Sequence, residues 1–136
     1  MVYNSPMEKL STKKRFSIIA RVRSANYAFR GFIILLKTCH NFWGHIFFGG
    51  VAVYLGWLLH ISNIEWALIV IVIGLVLITE ALNSAIEIDI DLTSPEQNPY
   101  ARDTKDIAAG AVLISVLIAG VVGLIIFLPK IWVLYF

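Results

Sequence analysis

Three long stretches of the chain carry no charged residue, and they restrict the fold more than any other feature. Residues 42–64, 66–79 and 107–129 contain no Lys, Arg, Asp or Glu and are rich in Val, Leu, Ile and Phe. An apolar helix of ~20 residues crosses the ~30 Å core of a bilayer and satisfies its own backbone hydrogen bonds there. Since 59% of the 136 residues are hydrophobic and 15% are charged, we expect an all-α membrane protein. The predicted crossings lie at about residues 42–61, 64–91 and 103–129.

The N-terminal third of the chain is basic, and this asymmetry predicts the orientation. Residues 1–41 contain eight of the eleven Lys and Arg residues and a single acidic residue, Glu8. Positive residues that flank a spanning segment stay in the cytoplasm. We therefore expect a multi-pass protein of the inner (cytoplasmic) membrane with a cytoplasmic N-terminus. Counting crossings from there puts the turn-rich segment 92–102, which holds Pro95 and Pro99, in the cytoplasm as well.

The basic region also predicts a helix that lies on the membrane surface, at about residues 15–38. Its polar residues recur at helical spacing: Arg23, Asn26, Arg30 and Lys37. Apolar residues fill much of the remaining circumference, which is typical of an amphipathic helix in the interface. A simple anchor for anionic lipids explains the same stripe equally well. Residues 1–14 are predicted to be a disordered basic segment, and residues 15–136 a single membrane-embedded domain.

A line of polar side chains follows the second apolar stretch: Glu80, Asn83, Glu87 and Asp91. Their spacing puts them on one helix face at about 100° per residue. If Glu65 marks the outer interface, a rise of ~1.5 Å per residue places Glu80 about 22 Å into the membrane, so the line straddles the cytoplasmic interface. Ionisable groups at such depth indicate a functional site.

These residue types suit phosphoryl transfer. Glu80, the deepest carboxylate, is the best candidate for a general base. Glu87 and Asp91 are hard oxygen ligands of the kind that Mg²⁺ prefers, and Mg²⁺ usually brings substrate phosphates with it. Lys105 precedes the third apolar stretch on the same side and could contact phosphate oxygens. A structural or ion-binding membrane protein stays open as the alternative.

Other chemistries have little support in the sequence. Neither a GxxxxGK[ST] loop nor a GxGxxG turn is present, which argues against a soluble type of nucleotide site. Cys39, His40 and His45 lack the spacing of a zinc site, and we interpret the histidines as interfacial or packing residues. Ser84 lies beside the polar line but has no adjacent histidine to activate it, so we interpret it as a packing residue. No nucleic-acid partner is expected.

Three sequence strings resemble the small prokaryotic diacylglycerol kinase and undecaprenol kinase family. They are EALNSAIE at residues 80–87, ARDTKDIAAGAVL at residues 101–113 and HNFWGH at residues 40–45. The resemblance implies an interfacial helix, three transmembrane helices and a homotrimer with active sites between subunits. It also implies that MgATP phosphorylates a lipid alcohol, either diacylglycerol to phosphatidic acid or undecaprenol to undecaprenyl phosphate.

The resemblance also implies roles for individual residues. Glu80 would be the general base with Asn83 beside it, Glu87 would bind the metal, and Lys105 would contact phosphate. Asp91 and Asp106 would lie on the nucleotide side of the site. An N-terminal cap of the third helix is the alternative for Asp106.

One position departs from the family pattern. Members typically carry a Glu, which helps to hold metal and nucleotide, at the position of Cys39. A thiol is a poor ligand for Mg²⁺, which prefers hard oxygens. We therefore expect an active enzyme with weakened Mg²⁺ affinity. A non-catalytic pseudoenzyme or cation-binding protein of the same fold is the alternative.

Overall fold

The computed structural model describes residues 17–94 and 98–135, and these residues form four α-helices. The helices are α1 (Ile18–Thr38), α2 (His40–Leu58), α3 (Asn63–Thr93) and α4 (Pro99–Tyr135). The prediction of an all-α protein is confirmed. The predicted disordered segment, residues 1–14, lies outside the described residues.

The chain divides into two compact units, Met1–Ile33 and Ile34–Phe136. The described part of the first unit is helical, and no residue of α1 is buried. Ile18, Ile19 and Val22 each expose more than 60% of their surface. Exposed apolar side chains suit a helix at a membrane interface, and this location stays a prediction.

Among the described residues, two helices are long and apolar enough to cross a membrane, namely α3 and the part of α4 from Pro99 to Val133. Helix α2, the predicted first crossing, has 19 residues and is long enough, but its hydropathy is lower than that of the apolar spans of α3 and α4. His40, Asn41 and His45 lower its apolar content. A crossing by α2 therefore stays a prediction.

Helix α4 is longer at both ends than the predicted span, and the loop before it is shorter. The Oδ1 atom of Asn98 accepts a hydrogen bond from the backbone N–H of Tyr100 at 2.9 Å, so Asn98 caps the helix. Pro99 suits the first helical position because the N–H that it lacks would have no helical partner there. Pro129 lies inside α4 and does not end it.

A capping box starts α3 and is tied to the far end of α4. Ser62 N–H donates to Oε2 of Glu65 at 2.6 Å, and Glu65 N–H donates to Oγ of Ser62 at 3.4 Å. Nζ of Lys130 on α4 lies 3.2 Å from the same Oε2. The start of α3 thus meets the end of α4, so the two helices run antiparallel.

The apolar core of the second unit lies where α2, α3 and α4 meet. Ile61, Ile69, Ile126 and Phe127 are buried together. Gly56 of α2 is buried against this core, and a Cβ atom there would lie 2.9 Å from both Cδ1 of Ile61 and Cη2 of Trp66. The close approach of α2 to the start of α3 therefore requires a glycine.

We expect Gly56→Ala to lower the unfolding free energy by about 1–3 kcal/mol, because the added methyl group overpacks the contact with the rigid Trp66 ring. Gly50→Ala on the same helix is the matched control, since nothing lies within 4 Å of a Cβ at that position. Thermal unfolding of the purified variants in detergent measures the difference. Equal midpoints for Gly56→Ala and Gly50→Ala would contradict the packing argument.

Much of the remaining surface of α4 is apolar. Leu113, Leu117, Leu124 and Ile125 each expose at least 60% of their surface. Apolar patches of this extent are rare on soluble monomers. They are expected on a helix that faces lipid or a neighbouring subunit.

Candidate active site

A buried carboxylate lies at the start of the predicted polar line on α3. Glu80 is 2% exposed and Asn83 is 7% exposed, whereas Glu87 and Asp91 are exposed. Thr79, one residue before Glu80, places Oγ1 2.8 Å from Oγ of Ser115 on α4. This contact fixes α3 against α4 next to the carboxylate, so Glu80 is held on a rigid element.

Two side chains from the start of α2 face the two oxygens of Glu80. The thiol of Cys39 donates to Oε1, with Sγ 3.0 Å away. Nε2 of His45 lies 3.6 Å from Oε2. Ser84, one turn after Glu80, donates its Oγ hydrogen to Sγ of Cys39 at 3.3 Å. A buried carboxylate is costly without partners, and α2 supplies them here.

Asn83 has one satisfied and one unsatisfied polar atom. Its Nδ2 donates to Oε1 of Glu87 at 3.0 Å. Its Oδ1 is buried and has no hydrogen-bond partner among the described residues. Buried polar atoms are nearly always paired, so this oxygen indicates a place for a ligand, a water molecule or an ion.

A pocket of about 330 Å³ joins these residues, and its walls include Cys39, Glu80, Asn83, Ser84 and Glu87. Proximity of a carboxylate, an amide and a hydroxyl around one small space can orient a hydroxyl group and accept its proton. The structure therefore brings together three of the predicted site residues, Glu80, Asn83 and Glu87.

The other predicted residues lie around a larger and more open pocket of about 700 Å³. Nζ of Lys105 on α4 lies 2.5 Å from Oδ1 of Asp91 on α3. Asp106 also borders this pocket, and its Oδ2 lies 3.8 Å from Nε of Arg102 one turn earlier. The interpretation of Asp106 as an N-terminal cap is wrong, because α4 begins at Pro99 and Asp106 is already two turns inside it.

Sequence reasoning missed the contacts that α2 makes with Glu80. The sequence favours an interfacial or packing role for His45 and a packing role for Ser84. The structure places His45 against Glu80 and Ser84 against Cys39. Cys39 and Ser84 are separated by 45 residues in the chain, so no local spacing signals the pair.

The oxygen atoms in the smaller pocket fit a hard cation only in part. No group of three or more His, Cys, Asp and Glu residues that could hold a metal occurs in the described segments. Mg²⁺, however, often takes only one or two carboxylates and completes its shell with water and substrate phosphates. The carboxylate of Glu87 and the unpaired Oδ1 of Asn83 are suitable hard donors, and Cys39 is not.

Comparisons with known proteins identify the family of this chain. Residues 26–127 match the family described as prokaryotic diacylglycerol kinase. The undecaprenol kinase of Bacillus subtilis is 39% identical over 108 residues, which cover 79% of this chain and 88% of that protein. The diacylglycerol kinase of Synechocystis sp. is 37% identical over 107 residues, covering 78% of this chain and 61% of that protein. The diacylglycerol kinase of Pseudomonas aeruginosa is 31% identical over 94 residues, which cover 69% of this chain and 76% of that protein.

The matches identify the chain as a lipid kinase. The two described helices that are long and apolar enough to cross a membrane agree with a membrane protein of this class. The match extends from within α1 to Phe127 of α4 and includes both pockets. The chain belongs to the prokaryotic diacylglycerol kinase family.

Proposed function

We propose that the enzyme transfers the γ-phosphoryl group of ATP to the hydroxyl group of a membrane lipid alcohol. The acceptor is diacylglycerol or undecaprenol, in keeping with the names of the relatives. The placement of Glu80 carries the proposal. A carboxylate that is 2% exposed borders a pocket shared with Asn83 and Glu87, on a helix suited to cross the membrane.

In the proposed reaction the oxygen of the lipid hydroxyl attacks the γ-phosphorus atom. Glu80 accepts the proton of that hydroxyl. The bond between that phosphorus and the β–γ bridging oxygen breaks, and ADP leaves. Asn83 lies three residues after Glu80 and borders the same pocket, so it helps to shape the place of the acceptor. Positioning of this kind is the main contribution that a protein makes to phosphoryl transfer.

The larger pocket is proposed to hold the nucleotide. Lys105 would contact phosphate oxygens as a point charge, and its ion pair with Asp91 keeps the ammonium group at the pocket. Asp106 lines the same space beside Arg102. Glu87 and the Oδ1 atom of Asn83 would hold Mg²⁺ together with phosphate and water. When bound, Mg²⁺ neutralises the charge that develops on the phosphate oxygens.

The proposal extends to topology and assembly. A cytoplasmic N-terminus places both pockets on the cytoplasmic side of the inner membrane, where ATP is available, with α2, α3 and α4 as the three crossings. A homotrimer follows from the family resemblance, and the apolar surface of α4 gives it a face that can pack against a second copy. The mass of the active protein in detergent measures the number of chains.

Transfer of labelled phosphate from the γ position of MgATP tests the function directly. Purified protein is given diacylglycerol and undecaprenol side by side in mixed micelles. We expect phosphorylation of at least one of them, and the preferred acceptor identifies the substrate. Folded protein that binds nucleotide but labels neither lipid would be a pseudoenzyme and would contradict the proposal.

We expect Cys39→Glu to lower the Mg²⁺ concentration for half-maximal activity by at least roughly tenfold, because a carboxylate supplies the hard oxygen that the thiol lacks. Cys39→Gln is the matched control, since it has nearly the same size but no charge. Activity is measured against Mg²⁺ concentration at saturating ATP. An unchanged Mg²⁺ requirement in Cys39→Glu would show that Cys39 is not at the metal position.

A further inference from the structure

Cys39 occupies the N-cap position of α2, but its side chain does not cap the helix. The residue has extended backbone angles, φ −100° and ψ 104°, and makes no side-chain hydrogen bond to the first turn. N-cap positions favour Ser, Thr, Asp and Asn because their oxygens accept from that turn. The thiol is turned toward α3 instead, so helix capping does not explain the orientation of this side chain.

The thiol is the middle member of a hydrogen-bonded chain. The hydroxyl of Ser84 donates to Sγ at 3.3 Å, and the thiol donates to Oε1 of Glu80 at 3.0 Å. A thiol is a weak donor and a weak acceptor, and here it has a partner in both directions. Because Glu80 and Ser84 lie one turn apart on α3, Cys39 bridges that turn and fixes the orientation of the carboxylate.

The two oxygens of Glu80 are consequently not equivalent. Oε1 accepts a hydrogen bond from Cys39, whereas Oε2 lies 3.6 Å from Nε2 of His45, which is beyond hydrogen-bond distance. Oε2 therefore has the greater capacity left to accept a proton from a ligand.

A second observation shows that the pocket beside the thiol is built for a ligand. Asn83 is 7% exposed, and its Oδ1 has no partner in the described part of the chain. Asn83 and Cys39 line the same pocket of about 330 Å³. An unpaired buried acceptor is typical of a place where a hydrogen-bond donor or a cation binds, so the pocket beside Glu80 is suited to a ligand.

We propose that Cys39 is a positioning residue that holds Oε1 of Glu80 through its thiol, and that Ser84 supports it, so that Oε2 is the oxygen that accepts the proton of the lipid hydroxyl. The inference rests on the proposed function for its effect on turnover. The thiol contact itself does not depend on that function and is measured separately.

Four variants test the effect on turnover. Cys39→Ala removes the donor and lowers kcat by about 2- to 10-fold, while the KM for ATP stays within about twofold. Cys39→Ser restores a donor and recovers most of the loss. Ser84→Ala lowers kcat to a smaller extent, and adding it to Cys39→Ala has no further effect, because the chain is already broken. Thr93→Ala is the control. It removes an exposed hydroxyl of the same helix, and that hydroxyl donates to the backbone carbonyl of Asp89.

The infrared S–H stretching band tests the contact without any turnover. Cys39 is the only cysteine of the chain, so the band reports on this thiol alone. We expect a shift of the band toward higher frequency in Glu80→Gln, since a neutral amide is a weaker acceptor than a carboxylate. Thr93→Ala leaves the band in place.

The outcomes separate the two proposals. An unshifted band in Glu80→Gln, or unchanged turnover in Cys39→Ala, overturns the positioning role. Equal losses in Cys39→Ala and Cys39→Ser overturn it as well, because the hydroxyl keeps the donor. If the wild-type protein phosphorylates neither lipid, the proposed function and the role in turnover both fail, and a shifted band then establishes only the thiol contact.

Discussion

Glu80→Gln is expected to lower kcat for lipid phosphorylation by about 100- to 10,000-fold, the contribution that a positioned general base typically makes. The amide has nearly the same shape as the carboxylate, and its oxygen can still accept from the Cys39 thiol, so the pocket stays intact. It cannot take up the proton of the lipid hydroxyl. Nucleotide binding should be retained, because the larger pocket around Lys105 does not include Glu80.

Two measurements on the same preparation check this expectation. Phosphate transfer gives kcat, and thermal stabilisation by MgATP gives nucleotide binding. Asp89→Asn is the matched control, because Asp89 is an exposed carboxylate of α3 that borders neither pocket. Normal turnover in Glu80→Gln would exclude Glu80 as the base, and a loss of MgATP stabilisation would show that the substitution disturbs more than the proton transfer.

The second large effect is expected at Lys105. Lys105→Met keeps the length of the side chain but removes its charge, and we expect the KM for ATP to rise by about 10- to 100-fold, which is the loss of hydrogen bonds to a charged group. Asp91 adds to the effect, because its carboxylate loses the ammonium partner at 2.5 Å and then repels the phosphates.

A double substitution separates the two contributions. In Lys105→Met with Asp91→Asn the repulsion is absent, so part of the affinity for ATP should return. Lys130→Met is the control, because Lys130 pairs with Glu65 at the opposite end of the helices. An unchanged KM for ATP in Lys105→Met would remove Lys105 from the nucleotide site.

The sequence predicts the polar line on α3 well, because that line depends only on helical spacing. Residues at intervals of three and four share one face of any helix, so Glu80, Asn83 and Glu87 had to lie together. The burial of Glu80 and Asn83 follows from the apolar stretch before them, whereas Glu87 is exposed. The conversion of this face into a pocket depends on α2, and the sequence does not fix where α2 packs.

The role of Cys39 shows most clearly which contacts depend on tertiary packing and not on local sequence. At an N-cap position, sequence rules predict a side chain that bonds to its own helix. The chain instead uses it for a contact 41 residues away, which only tertiary packing can establish. Helix α4 also begins four residues before the predicted crossing at about residues 103–129, and Asn98 followed by Pro99 carries a local signal for a cap and a first turn. Pro95 and Pro99 together favour a loop over residues 92–102 instead.

The capping box at the start of α3 has a consequence for the membrane around the enzyme. Glu65 is held by Ser62 and Lys130, and Glu80 follows it 15 residues later on one continuous helix, a rise of about 22 Å. In the proposed orientation this charged group is anchored at the outer surface, so the depth of Glu80 below the inner surface is set by the thickness of the bilayer. Short acyl chains bring the base closer to the aqueous phase, and long chains draw it deeper into the hydrocarbon. In this orientation we expect the rate of phosphorylation to depend on the length of the surrounding lipids as well as on the acceptor.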